Sequence, residues 1–193
     1  MILETERLRL RPWVAADAEA LYRYACDPAV AAGAGWPAHT DVDHSRRIIR
    51  DILTLPETFA VELKELGHPV GSIGVMTGKR SCLALPDDEG EIGYWLGAPF
   101  WGRRLMPEAV RAIMAYAFAD LGLKKLRGVC SESNIRSLKV LEKCGFHELP
   151  PPAIPDRLRA ARKHIAVINA PEYFAGALLD YEYDAPVDTC DRK

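Results

Sequence analysis

The residues best suited to chemistry in this chain lie between Glu91 and Phe146. There a β-rich run, Glu91-Ile92-Gly93-Tyr94-Trp95-Leu96, passes through a Gly-bearing loop into a long helical pattern opening at Pro107, whose first charged residue is Glu108. The first N–H groups of a helix have no intrahelical partner and carry about half a unit of positive charge, so this loop can present amides to a phosphate. Arg103 and Arg104 add side-chain charge. The same residues would also make a plain strand-to-helix connection with two solvated arginines. Other chemistry finds less support. The patterns G-x-S-x-G, H-E-x-x-H, G-x-x-x-x-G-K-[ST] and G-x-G-x-x-G are absent, and His39, His44, His68, His147 and His164 have no ligand spacing, so no metal site is expected. Cys144 sits at a helix end, where the dipole disfavours a thiolate, and reads as a packed thiol.

The elements that must hold these residues can be read from periodicity. Arg7 to Arg11 alternates polar and apolar and stops at Pro12, a half-buried strand. Ala18, Leu21, Tyr22 and Ala25 share one face of a short helix capped by Asp17 and ending before Pro28. Residues 31–39 read as a Gly- and Pro-bearing loop. A second helix, capped by Thr40 or Asp41, would bury Ile48, Ile49, Ile52 and Leu53 before Pro56. Phe59–Leu63 and Val70–Met76 form a hairpin, 79–89 a loop, and Glu91–Leu96 a further strand. Ala109, Val110, Ile113, Met114, Ala117, Phe118 and Leu121 make the most regular helical stripe, closed by Gly122. Lys125–Cys130 is a strand, Asn134 caps a last helix carrying Leu138 and Leu141 up to Gly145, and Phe146–Leu149 is a strand. Pro150 to Pro152 impose a stiff extended loop, and Leu178–Tyr183 is the expected closing strand. Residues 156–176 show no pattern that places them.

Length and composition narrow the class. A chain of 193 residues suits one domain, 1–193, and 49% apolar with 27% charged residues is ordinary for a globular fold. A net charge of −2 speaks against a nucleic-acid partner that works through bulk positive charge. Five scattered cysteines without C-x-x-C suggest neither a disulfide framework nor zinc. With only eight uncharged residues between Arg111 and Asp120 and a charged N-terminus, a soluble cytoplasmic protein without a membrane partner is expected. The fold class is α/β (α+β), with a mostly antiparallel start and a βαβ unit near the end.

Three pieces in order now carry a resemblance. Gly93-Tyr94-Trp95-Leu96, Trp101-Gly102-Arg103-Arg104-Leu105-Met106-Pro107-Glu108-Ala109, and Asn134-x-x-Ser137 with Lys143-Cys144-Gly145-Phe146 resemble the GNAT acyl-CoA-dependent N-acetyltransferases, Rim-type branch. Thr5-Glu6-Arg7-Leu8-Arg9-Leu10-Arg11 is similar to that branch's opening strand, so the resemblance spans about residues 1–149. It implies one central mixed, mostly antiparallel sheet of about six to seven strands flanked by helices and splayed at the cofactor-binding strand. It also implies acetyl-CoA as co-substrate. Its pyrophosphate would be wrapped by Trp101, Gly102, Arg103, Arg104, Leu105, Met106 and Pro107, and its pantetheine arm paired along Trp95 and Leu96. Gly102 would let backbone approach phosphate without a Cβ in the way. Arg104 stands where the family usually has glycine, and either contacts a phosphate or weakens binding.

For the transfer itself, a neutral amine must attack the thioester and the departing thiolate benefits from a donor. The family's usual tyrosine on the last helix is replaced by Leu141. The resemblance places Ser137 near the sulfur as the substitute donor, with Asn134 beside it; helix-start hydrogen bonding would equally explain both. Glu91 is the candidate base, directly or through water, unless it is an ordinary exposed strand carboxylate. Trp36 either lines the acceptor site or belongs to the core. The expected acceptor is a protein N-terminal α-amino group, with a small amine such as an aminoglycoside or polyamine second, and a noncatalytic acyl-CoA-binding module as the reading from another class. Family habit, with Tyr173, Phe174, Tyr181 and Tyr183 covering an interface or packing on the core, suggests a homodimer.

Overall fold

A computed structural model describes residues 1–161 and 163–173. Among these residues eight strands form one sheet: β1 Leu3–Glu4, β2 Leu8–Arg11, β3 Thr58–Leu63, β4 His68–Met76, β5 Glu89–Leu96, β6 Lys125–Ser131, β7 His147–Glu148 and β8 Lys163–Asn169. Their order is β1-β2-β3-β4-β5-β6-β8-β7, and every neighbouring pair is antiparallel except β5–β6. The expectation is about six to seven strands; β1 is too short to show a period, and β8 lies within the stretch where the sequence has no clear pattern. The expected strand Leu178–Tyr183 and the aromatic residues Phe174, Tyr181 and Tyr183 lie outside the described residues.

The period-2 alternation of the strands divides the core between two faces. Leu8 and Leu10 on β2 and Phe59, Val61 and Leu63 on β3 meet α4 (Leu105–Ala119), whose Leu105, Ala109, Val110, Ile113, Met114 and Ala117 are all buried. Ala60 points the other way, into a smaller cluster with Trp13, Ala18, Leu21, Ala25 and Ile49 contributed by α1 (Ala18–Ala25) and the α3 region (Val42–Ile48). Arg11 binds α1 to the sheet, donating to both Asp17 oxygens at 2.7 and 2.8 Å and to Glu62 at 2.7 Å. Helix α5 (Ile135–Glu142) lies over β6 and β8, and α6 (Asp156–Ala160) over β8. Tyr173 packs on the core through Phe118, ring centroids 5.2 Å apart.

Three expectations are corrected. Residues 31–39 are not simply a loop: α2 spans Pro28–Ala34, with Asp27 accepting from the Ala29 N–H and Gly35 left-handed at its end. Pro28 reads as a terminator in the sequence, whereas its missing N–H suits the first position of a new helix. The expected stripe after Asp41 buries only Ile49, while Ile52 is 50% exposed. The helix passes at Ile49–Leu53 into a π-helical turn, which winds more residues per turn and rotates the stripe off the core. Finally, α4 begins at Leu105, two residues before Pro107.

Gly71 pairs with Leu96 at the far end of β5, and a Cβ there would lie 2.4 Å from the Trp95 carbonyl oxygen. Backbone cannot yield as a side-chain tip can. Gly71→Ala is therefore expected to cost about 1–3 kcal/mol in urea unfolding, and a change within about 0.5 kcal/mol would contradict this packing.

Candidate functional site

The site begins where two parallel strands part. β5 and β6 pair from Glu89–Lys125 to Ile92–Gly128 and no further, although β5 runs on to Leu96 and β6 to Ser131. The expected splay is therefore present. It opens a cleft of about 500 Å³ lined by Tyr94, Leu96, Met106, Cys130, Ser137 and Leu141, among others.

At one end stands the N-terminus of α4. The N–H groups of Gly102, Arg104, Leu105 and Met106 find no acceptor among the described residues, and the N-cap Arg104 places no side chain on them. Arg104 has φ 59°, the left-handed region, which explains why glycine serves better at this position. The loop's carbonyls are held from the opposite side: Arg7 donates to the carbonyls of Arg103 and Arg104 at 3.0 and 3.3 Å. Arg7 is itself fixed by Glu108, which accepts from its Nε at 2.7 Å, its backbone N–H at 2.9 Å and the Thr5 hydroxyl at 2.5 Å. Burial raises the Glu108 pKa, but these hydrogen bonds outweigh it and hold the carboxyl below its usual value.

Charge collects on the cleft's rim. Arg104, Arg136, Lys139 and Lys143 all border it, and the Arg136 guanidinium lies 3.9 Å above the Trp101 ring. The Trp101 indole N–H is anchored to the Leu96 carbonyl at 2.8 Å. Arg103 turns away to Glu65 at 2.9 Å, so its side chain stands outside the cleft. Sequence reasoning finds the loop but misses Arg136 and Lys139; both lie just beyond Asn134 on the helix that it caps, where alternate rim-facing charges are the signal.

At the inner end lie Asn134 and Ser137. The Asn134 side chain accepts from the Ser137 N–H at 3.2 Å and donates to the Gly33 carbonyl at 2.8 Å, so it caps α5 and binds α2 to it. The Ser137 hydroxyl lies 3.0 Å from the Tyr94 hydroxyl, which also donates to the Ser137 carbonyl at 3.0 Å. Sequence reasoning misses Tyr94 as a site residue although it stands in the Gly93–Leu96 run. Leu141, in the position of the absent tyrosine, is buried beneath Gly128, where a Cβ would meet its Cδ1 at 2.6 Å. Burial pushes the Cys144 thiol up to about 11, and it donates to the Pro107 carbonyl, a packed thiol.

Glu91 occupies the other face of β5, the face of Trp95, and with it still borders the cleft. It is buried, and its oxygens accept from the Ser81 hydroxyl at 2.8 Å, the Cys82 N–H at 2.9 Å and the Cys82 thiol at 3.3 Å. The exposed-carboxylate alternative is thus set aside. About 10 Å of strand separates it from Tyr94, and its bonds fasten the 81–82 loop. Trp36 meets Trp95 edge-on at 6.0 Å and joins the smaller core cluster. His39 is buried against Ser45 and its pKa is lowered to about 4, first by burial and then by His44, so it stays neutral near pH 7. No group of metal-ligating side chains occurs among the described residues.

An uncapped helix start, a cationic rim and an apolar cleft ending on two hydroxyls can hold a phosphorylated chain and steady negative charge at its far end. Comparisons with known proteins agree with that capacity. The sequence profile of the family described as acetyltransferase (GNAT) domain matches residues 7–147. The chain is 30% identical over 151 residues to the uncharacterized N-acetyltransferase p20 of Bacillus licheniformis, covering 76% of this chain and 82% of that one. Its fold resembles a structure titled as a putative ribosomal-protein-serine acetyltransferase from Vibrio cholerae, with TM-score 0.66, 20% identity, and 88% and 97% of the two chains covered. It also resembles aminoglycoside acetyltransferase AAC(6')-Ib in complex with coenzyme A, with TM-score 0.69, 19% identity, and 87% and 98% covered.

The loop generates two testable outcomes. Arg104→Gly removes a left-handed non-glycine residue and is expected to raise the stability of the free protein by about 1 kcal/mol, while the lost charge weakens binding of a phosphorylated ligand. A destabilised Arg104→Gly in thermal unfolding would contradict this. Glu108 has a folded pKa below its ordinary 4.5, so its contribution is complete above that pH and is lost as pH falls through the folded value. Acid unfolding of Glu108→Gln should accordingly show a shallower loss of stability below about pH 4.5 than the parent protein.

Proposed function

Since the chain belongs to the GNAT acetyltransferases, we propose that it moves acetyl from acetyl-CoA to a primary amine by direct attack in a ternary complex, the acceptor being a protein N-terminal α-amino group. The observation that carries the cofactor reading is the set of free N–H groups at Gly102, Arg104, Leu105 and Met106, facing a cleft made by parted strands. Those residues suit a pyrophosphate, with Arg104, Arg136 and Lys139 supplying countercharge. The open edge of β5 along Trp95 and Leu96 suits the amide-bearing pantetheine arm, because its backbone has no β6 partner there.

Each residue then has a task. Trp101 and Pro107 frame the phosphate loop, Arg103 steadies it through its carbonyl bond to Arg7, and Asn134 fixes the first turn of α5 so that Ser137 faces the cleft. When the amine nitrogen forms its bond to the acetyl carbon, the carbon–sulfur bond breaks and the sulfur takes the electron pair; Ser137 donates a hydrogen bond to that growing thiolate charge. The proton shed by the amine passes to solvent. An amine arriving neutral needs no dedicated base, which fits the commitment of Glu91 to Ser81 and Cys82.

The acceptor reading rests on the Rim-type resemblance; the fold is shared alike with the neighbour named for a ribosomal-protein acetyltransferase and with the one named for an aminoglycoside acetyltransferase. We take the whole chain, 1–193, as one catalytic domain working in the cytoplasm, with a homodimer as its assembly. No helix among the described residues is long and apolar enough to cross a membrane.

Thermal unfolding with acetyl-CoA at 100 times its dissociation constant is expected to show stabilisation by about 2.7 kcal/mol. Release of free thiol should then be fastest with short peptides bearing a free α-amine, ahead of kanamycin and spermidine; a faster rate with either small amine would replace the acceptor proposed. Ser137→Ala should lower turnover about 10- to 100-fold with acetyl-CoA affinity unchanged, and full turnover in that variant would end Ser137's assignment.

A further inference from the structure

Resting on the acetyl-CoA reading above, we propose that Tyr94 is the positioning residue for the site, a hydrogen-bond switch that frees the Ser137 proton for the departing sulfur. Its hydroxyl has one proton and two acceptors at 3.0 Å, the carbonyl oxygen and the Oγ of the same serine. While Tyr94 donates to the carbonyl, the Ser137 hydroxyl can rest on the Tyr94 oxygen. When negative charge grows in the cleft, the Ser137 proton turns toward it and the Tyr94 proton turns to Oγ. Both hydroxyls keep their protons, so the change is one of hydrogen-bond direction, and charge is steadied over two donors in series.

The surroundings fit this task. Tyr94 leaves β5 two residues beyond the last β5–β6 pair and crosses to the first turn of α5, which only the parting of the strands allows. The thiols of Cys130 and Cys144 are the titratable groups whose charge acts on it, and both are pushed toward the neutral form by burial; the Cys130 thiol is also a hydrogen-bond partner of the Ser137 side chain. Leu141 and Val129 add apolar wall. Burial raises the Tyr94 pKa well above its usual value, despite the opposing hydrogen bond with Ser137, so the phenol is a donor throughout and never a base. The arrangement gives the cleft a tyrosine from the sheet although the last helix carries Leu141.

The test uses CoA itself and needs no acceptor. Ultraviolet titration of CoA bound to the full chain reads its thiolate directly, and the bound thiol is expected to ionise at lower pH than free CoA. In Tyr94→Phe that displacement should shrink by about one pH unit, with CoA affinity, measured by calorimetry, within about twofold of the parent. Ser137→Ala breaks the same pair from the other side and should shrink it similarly, and the double variant should go no further than the larger single change. A tyrosine that only packs would leave the displacement untouched while altering affinity. Full displacement in a Tyr94→Phe protein that binds CoA, or strictly additive single changes, would overturn the switch. Failure of the parent protein to bind CoA would overturn the acetyl-CoA reading instead.

Discussion

Everything in the site depends on β5 and β6 ceasing to pair after Ile92 and Gly128. Parallel strands normally keep their ladder because buried backbone groups left unpaired are costly. Here the chain gives up that pairing over the length of a cleft, and leaves polar backbone on one wall with apolar side chains on the other. The same parting lets Tyr94 reach Ser137 and sets the first turn of α4 at the mouth. The antiparallel neighbour β4 compensates, pairing with β5 all the way from Met76–Glu91 to Gly71–Leu96. A strand held on one side only is therefore still a fixed edge.

The loop before α4 is held by a second, independent device. Arg7 immediately precedes β2, nearly a hundred residues away in sequence, and ties the loop's carbonyls while Glu108 ties Arg7. With carbonyls fixed on one side, the amides of Gly102, Arg104, Leu105 and Met106 face the other. This explains why the opening Thr5–Arg11 run belongs to the functional unit although none of it lines the cleft. It also shows how Arg104 is tolerated: the clamp over-determines a backbone conformation that costs a non-glycine residue about 1–2 kcal/mol.

Much of this is legible in the sequence. The α4 stripe, the β3–β4 hairpin and the caps at Asn134 and Asp41 follow from local rules, and local rules are what a single sequence displays. Pro28 misleads because one residue type both ends helices and starts them, and the choice is made by Asp27, whose side chain accepts from Ala29. The π-turn at Ile49–Leu53 breaks a period that sequence alone continues. In the site, the loop from Trp101 to Pro107 is visible as a motif. Tyr94 and Arg136 are not, because their importance comes from pairings across 43 and 35 positions, with Ser137 and Trp101, that no local spacing encodes. Glu91 falls on the expected strand, yet its bonds to Ser81 and Cys82 depend on a loop whose path has no periodic signal.

The central claim is that the parted strands and the free amides before α4 together hold acetyl-CoA, and hydrogen exchange at single-amide resolution tests it most directly. With acetyl-CoA present, exchange should slow at Gly102, Arg104, Leu105 and Met106 and along Trp95 and Leu96, while amides on β2 and β3 keep their rates. Slowing confined to other parts of the chain, with those loop amides unchanged, would contradict the account.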